Sequence, residues 1–212
     1  MKILVIGASG RVGSQLVEQL LDDNHNVIGT TRENEQLFDH NNYSQLDLDI
    51  TAGKDEIAQQ IDADIDAIYF VAGSGGKNIL EVDLHGAVKT MQAAKDKGIN
   101  RYIMLSTVFS LDTSKWDTPA INEIKEYYIG KHYSDNWLVN DSKLDYTIVQ
   151  AGALKERAGT GQVTLNSDSP GENAIEDVAA TLVAVLEAKS ASKKVFNMQN
   201  GDTDIKEAVA NL

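Results

Sequence analysis

The sequence predicts an α/β fold built on a doubly wound parallel sheet, and three observations predict it. Short β-branched runs near 2–7, 26–31, 43–47, 66–72, 101–106, 145–150 and 194–198 alternate with amphipathic or charged stretches. The runs 3–6, 67–72 and 102–105 are apolar almost throughout. A glycine-rich turn joins the first run directly to the first helical stretch. Parallel strands need a crossover, usually a helix, so the alternation places helices on both faces of the sheet. A strand covered on both faces has no polar side, which explains why these runs do not alternate.

Taken in order, the first strand ends at Gly7-Ala8-Ser9-Gly10-Arg11-Val12-Gly13. In that setting Gly7 permits the tight turn, Gly10 lets backbone approach a pyrophosphate, and Gly13 lets helix and sheet pack closely. The helix over 11–21, with Leu16, Val17, Leu20 and Leu21 as its apolar stripe, then offers free N–H groups to an anion. This is the Rossmann-type context for a dinucleotide. The phosphate-loop alternative fails, because Val12 stands where that motif needs glycine.

The second strand ends Thr30-Thr31-Arg32, without the acidic residue that would bond the 2′-hydroxyl of NAD. Arg32 offers instead a planar fork suited to a 2′-phosphate, which points to NADP (NADPH) over NAD. The competing reading is a solvated arginine paired with Glu33 or Glu35. Arg11 is expected to add a second contact to the same phosphate. A long helix over 77–97 should present Ile79, Leu84, Val88, Met91 and Ala94 and end at Gly98. The residues 152–173, rich in glycine, serine and threonine, read as a substrate-side loop or lobe on a single domain spanning 1–212.

Beyond the strand over 101–106, Ser106 and Thr107 sit where open α/β sheets place ligands. Tyr127 and Lys131 are four apart and so share a helix face, where an ammonium would lower the phenol's pKa. A surface helix with tyrosines packed on Trp137 and a solvated Lys131 would show the same spacing.

With no cysteine, disulfides, thiolate metal sites and cysteine nucleophiles are excluded, so redox chemistry needs a bound cofactor. A net charge of −13 disfavours nucleic acid as a partner. The scattered histidines and the acidic turn 62–66 indicate no metal. No apolar run is long enough for a membrane span, and the N-terminal residues enter a strand at once, leaving no room for a signal peptide. The expectation is a cytoplasmic protein acting on a small-molecule substrate, either monomer or homodimer.

The chain resembles the atypical short-chain dehydrogenases/reductases, the small NAD(P)H-binding proteins of the biliverdin reductase B and NmrA-like type. The residues that carry the resemblance are the opening 2–13, Thr31-Arg32, Leu46-Asp47-Leu48, Val71-Ala72-Gly73, Leu105-Ser106-Thr107, the strand 144–149 and Ile175-Glu176-Asp177-Val178-Ala179. The resemblance implies that Asp47 and Leu48 flank the adenine and that Ala72, Gly73 and Ser74 line adenosine and pyrophosphate. Asp47 is equally readable as a turn cap. It further implies that Ser106 or Thr107 bonds the substrate oxygen, that Tyr127 is the acid/base, and that Lys131 holds the nicotinamide ribose. Gln150-Ala151-Gly152 departs from the family's Arg-Pro-Gly, while Gly152 and Ala153 keep backbone groups able to approach the nicotinamide. Three functions follow: an NADPH-dependent reductase of a carbonyl, quinone or conjugated substrate, an NADP-sensing regulator, or a nucleotide-sugar epimerase or dehydratase.

Overall fold

The computed structural model describes residues 1–32 and 36–212. Seven parallel strands form the body of the main sheet: β1 (Lys2–Ile6), β2 (Asn26–Thr30), β3 (Tyr43–Leu46), β4 (Ala67–Phe70), β5 (Arg101–Thr107), β6 (Asp145–Ala151) and β10 (Lys194–Asn200). Each of the seven runs expected from the sequence is one of them. Two short strands, β8 (Gln162–Leu165) and β11 (Thr203–Asp204), extend the sheet antiparallel beyond β10, in the order β11-β8-β10-β6-β5-β4-β1-β2-β3. Strand order reverses between β1 and β4, which are paired Ile3↔Ala67 through Ile6↔Phe70. That reversal opens a crevice at the strands' C-terminal ends.

Odd and even residues of the central strands feed different cores, which is what makes the sheet doubly covered. Ile3, Val5, Tyr69, Ile103 and Val149 pack against α1 (Arg11–Asp22), α6 (Ile175–Ala184) and α7 (Ile205–Ala210). Leu4, Ile6, Ile68, Phe70 and Met104 pack against α2 (Lys54–Gln60), α3 (His85–Asp96) and α5 (Lys125–Asn140). In α1 the stripe Leu16, Val17, Leu20, Leu21 is buried as its spacing requires, each side chain stabilising the fold by about 1.5–3 kcal/mol. The two tyrosine hydroxyls at the centre of the sheet are satisfied: Tyr69 Oη donates to the Leu182 carbonyl at 2.9 Å, and Tyr102 Oη pairs with Thr90 Oγ1 at 2.8 Å.

Two expectations need correction. The helix over 77–97 is not one α-helix: a π-helical segment Ile79–Leu84 precedes α3. Its wider turn breaks the 3.6-residue period, so Asp83 is buried whereas Ile79, Leu84 and Val88 are only half-buried. The second correction concerns 152–173. Its central strand β8 belongs to the main sheet, and only β7 (Ala153–Lys155) and β9 (Glu172–Ala174) form a separate two-stranded sheet. A short helix, α4 (Pro119–Glu123), capped by Thr118, lines a cleft together with residues of that pair.

Candidate functional site

The site is built first from the turn between β1 and α1. Gly7 has φ +98°, the left-handed region, and a Cβ there would meet the Ala72 backbone at 2.6 Å. A Cβ on Gly13 would lie 2.0 Å from the Gly7 carbonyl oxygen, so helix and strand approach as only glycine allows. The turn is held by Gly10 N donating to Gly7 O at 3.0 Å and by Gly7 N donating to Thr30 Oγ1 at 3.1 Å. No side chain caps α1, so its N–H groups remain available to an anion.

Around this turn a cleft is lined by Gly7, Ser9, Gly10, Thr30, Thr31, Arg32, Leu48, Ala72 and Gly73, together with Asp49, Ile50, Thr51 and Val82. Arg32, Leu48, Ala72 and Gly73, expected to contact the adenosine end of a dinucleotide, thus share one cleft with the glycine turn. Glu33 and Glu35, the alternative partners of Arg32, lie outside the described residues. Asp47 is exposed and does not line the cleft, which Asp49 lines two residues later. Asp49 Oδ1 accepts from Thr51 Oγ1 at 2.7 Å and Thr51 N at 2.8 Å. Those bonds hold its carboxyl below the usual carboxylate range, with a smaller contribution from Arg32. Buried Lys89 donates to the Thr51 and Ala52 carbonyls and fixes this loop onto α3.

A second cleft of about 730 Å³ opens at the C-terminal ends of β5 and β6. Val108, Phe109, Ile121, Tyr128, Leu154 and Pro170 make its apolar walls, and Ser106, Thr107, Tyr127, Gly152, Ala153 and Arg11 also line it. Arg11, expected beside Arg32, therefore lies on the other side of the glycine turn, with Nη1 3.5 Å from Glu156 Oε1. Side chains with charge at this rim are paired: Lys115 Nζ is 3.5 Å from Asp168 Oδ1 and lies over the Phe109 ring.

Tyr127, Lys131 and Asp135 follow one another at four-residue spacing on α5. Lys131 is buried, donates to the Leu105 carbonyl at 3.0 Å and stands over the Phe70 ring. Burial pushes the Tyr127 phenol above its ordinary range, and the carboxylates Asp83 and Asp135 push it further the same way. The expected lowering by Lys131 is not what this environment produces. The Ser106 hydroxyl is committed to Asp135 Oδ2 at 2.5 Å, and Ser110 donates to the same oxygen. Gln150, which departs from the family's arginine, donates from Nε2 to Ser110 Oγ at 2.6 Å.

Four further expected positions line neither cleft. Val12 is buried in the core, and Gly13 serves the helix–strand approach. Ser74 donates from N and from Oγ, at 2.5 Å, to Asp83 Oδ2. Lys131 lies beneath the cleft floor. Among the described residues no group of histidines and carboxylates is arranged to hold a metal, and no helix is long and apolar enough to cross a membrane.

The cradle of Gly7 and Gly13 and the uncapped helix end, with a cleft opening beside them, fit the pyrophosphate of a dinucleotide. Comparison with known proteins agrees. Residues 7–189 match the NAD(P)H-binding family. The protein YhfK of Bacillus subtilis (strain 168), named an uncharacterized sugar epimerase, is 35% identical over 220 residues, covering 100% of both chains. The crystal structure of the oxidoreductase ylbE from Lactococcus lactis superposes with a TM-score of 0.96 at 42% identity, over 100% of this chain and 96% of that one. A candidate NAD-dependent epimerase/dehydratase from Bacillus halodurans superposes at 0.87 with 30% identity, over 100% of both chains. The chain belongs to the NAD(P)H-binding family, in keeping with its resemblance to the atypical short-chain dehydrogenases/reductases.

Proposed function

We propose that the protein is an NADPH-dependent reductase acting on a small carbonyl, quinone or conjugated substrate. The observation that carries this reading is the apolar cleft that begins at Thr107 and Tyr127, beside the nucleotide turn. A bound NADPH supplies the hydride, and the protein supplies position and a proton. The α1 N-terminus and the Gly7–Gly10 backbone hold the pyrophosphate, while Arg32 takes the 2′-phosphate at the end of β2. Asp49 shares that end of the cleft, but its Oδ1 is already engaged by Thr51.

Because its environment keeps Tyr127 protonated, its hydroxyl is placed to donate to a substrate oxygen as negative charge develops there. Thr107 offers a second hydroxyl at the same end of β5, whereas Ser106 is occupied by Asp135. The apolar walls favour a ring-bearing substrate over a polyol, and such a substrate would displace water from this donor pair as it fills the cleft. Val108, Phe109, Ile121, Leu154 and Pro170 offer sugar hydroxyls no side-chain hydrogen bond, and the rim charges Lys115 and Asp168 pair with each other, leaving Thr107, Thr118, Tyr127 and Tyr128 as the available hydroxyls; this lining weighs against carrying over the epimerase name of the Bacillus subtilis relative. An open cleft beside the nucleotide site also weighs against a purely sensing role.

The test is NADPH oxidation by purified protein across a panel of quinones, aldehydes, ketones and conjugated enones. Tyr127→Phe should lower kcat by about 100-fold or more, the range for loss of a positioned acid. An unchanged rate would remove Tyr127 from the mechanism. No oxidation with any of the panel would reject the reductase reading.

A further inference from the structure

Below the cleft floor lies a buried polar cluster that the nucleotide and substrate clefts do not account for. Asp135 is fully buried on the inward face of α5, two helical turns from Tyr127 and one from Lys131. Its Oδ2 accepts from Ser106 Oγ and from Ser110 Oγ, and Ser110 in turn accepts from Gln150 Nε2. Its Oδ1 is buried with no hydrogen-bond partner. A buried carboxylate oxygen without a partner is costly to the fold, so a counter-charge or a function must account for its retention.

The counter-charge stands one turn away. Lys131 is equally buried, and the only acceptor it reaches directly among the described residues is the Leu105 carbonyl. Lys131 and Asp135 therefore engage consecutive residues of β5, Leu105 and Ser106, and the next residue is Thr107 in the cleft. These two bonds tie α5 to the end of β5, and so hold Tyr127 in the cleft that Thr107 also lines. The charged groups facing Lys131 are Asp135 on its own helix and Asp83 on the π-helical segment. Those facing Asp135 are Lys131 and His132, the latter held by the Ser110 carbonyl at 2.8 Å. Asp83 is already engaged by Ser74 N and Oγ, which leaves Asp135 as the carboxylate with an uncommitted oxygen.

We propose that Asp135 is a positioning residue for the reduction: its Oδ2 fixes Ser106 and Ser110 at the end of β5, and its charge balances the Lys131 ammonium buried beneath Tyr127. The inference rests on the reductase reading, and its test separates the two. Removing the carboxylate while keeping its shape, Asp135→Asn, takes away a negative charge that favours both the Lys131 ammonium and the protonated Tyr127 phenol, so Lys131 and the donor Tyr127 should both release their protons at lower pH. The alkaline limb of the kcat profile for NADPH-dependent reduction should move acidward by about one pH unit or more, a tenfold loss of proton affinity, with KM little changed. Ser110→Ala, which removes one donor and keeps the charge, should leave that limb in place. A kcat that falls equally at every pH in Asp135→Asn would mean a merely structural residue and overturn the proposal.

The same titration is readable without substrate, by NMR of protein labelled at the lysine ε-carbons. Coincident Lys131 titrations in wild type and Asp135→Asn overturn the proposal whatever the activity. Absence of reductase activity in the wild type overturns the reductase reading while the Lys131 titration still decides the coupling. Should Asp135→Asn fail to fold, the Asp135 carboxyl carbon of the wild type decides: it should report an ionised carboxylate at neutral pH, and a protonated acid there refutes the pairing.

Discussion

At the scale of single residues, the choice of cofactor depends on Arg32. The end of β2 carries Thr30 and Thr31 but no carboxylate, and Arg32 lines the cleft beside them. A guanidinium–phosphate bond is charge-assisted and contributes about 1.5–3 kcal/mol, whereas the 2′-hydroxyl of NADH gives an arginine little to hold. Arg32→Ala should therefore weaken NADPH binding about 10- to 100-fold and leave NADH binding within about threefold, read by titration calorimetry. Equal losses for both dinucleotides would mean that Arg32 acts on the cleft as a whole and does not read the 2′-position. The carboxylate the sequence singled out nearby, Asp47, points to a limit of local reading. Which of Asp47 and Asp49 faces the cleft is set by the bend after β3 and by Lys89 holding the 51–52 carbonyls, 37 and 38 residues away in sequence.

At the scale of elements, what was legible was what is local or covered on both faces. The turn 7–13 declares itself because its glycines answer to contacts within the turn and to Ala72 next to it. Gly13→Ala makes the point testable. Its Cβ would press on the Gly7 carbonyl, backbone against backbone, with no flexible side chain to yield. The substitution should cost about 3 kcal/mol in chemical denaturation and weaken dinucleotide binding together with it, since α1 must tilt away from the turn. Undiminished stability would show that α1 has freedom the packing denies it. Strands β4 and β5 were equally plain, being apolar on both sides. The short strands were not: β8 alternates, with Val163 buried between exposed Gln162 and Thr164, but over only four residues, and β7 has three residues paired with β9 in a separate sheet, so neither is long enough to stand out. The π-helical turn was hidden for another reason, since one extra residue per turn puts Asp83 inward where a 3.6-residue period puts Leu84. The Gln150–Ser110–Asp135–Ser106 cluster joins residues 25, 29 and 40 apart, and no periodicity reports such a meeting.

At the scale of the whole molecule, the governing fact is 32 acidic against 19 basic residues, a net charge of −13. Ion pairs such as Lys2 with Asp62 and Asp64, or Lys54 with Asp96, lie at the surface, where solvent screens them and each contributes little to stability. Repulsion among the excess carboxylates acts over the entire surface and opposes the compact state. Salt screens both, with a Debye length near 10 Å at about 0.1 M, but there is more repulsion to screen than attraction. Melting temperature at neutral pH should therefore rise by a few degrees between about 10 mM and about 300 mM sodium chloride. Acidification should first act in the same direction, because it removes excess negative charge. Asp135 adds to that gain: burial raises its folded-state pKa, so protonation favours the folded chain as pH falls through that value. Asp49 and Asp64 have the opposite sign. Their folded-state pKa values are lowered, so the stability they contribute above the unfolded value is lost as pH falls below the ordinary carboxylate range. The melting temperature should accordingly pass through a maximum at mildly acidic pH, and the salt effect should shrink as that maximum is approached. A melting temperature that falls with added salt at neutral pH would show that the paired minority of charges, and not the unpaired acidic excess, controls the stability of this fold.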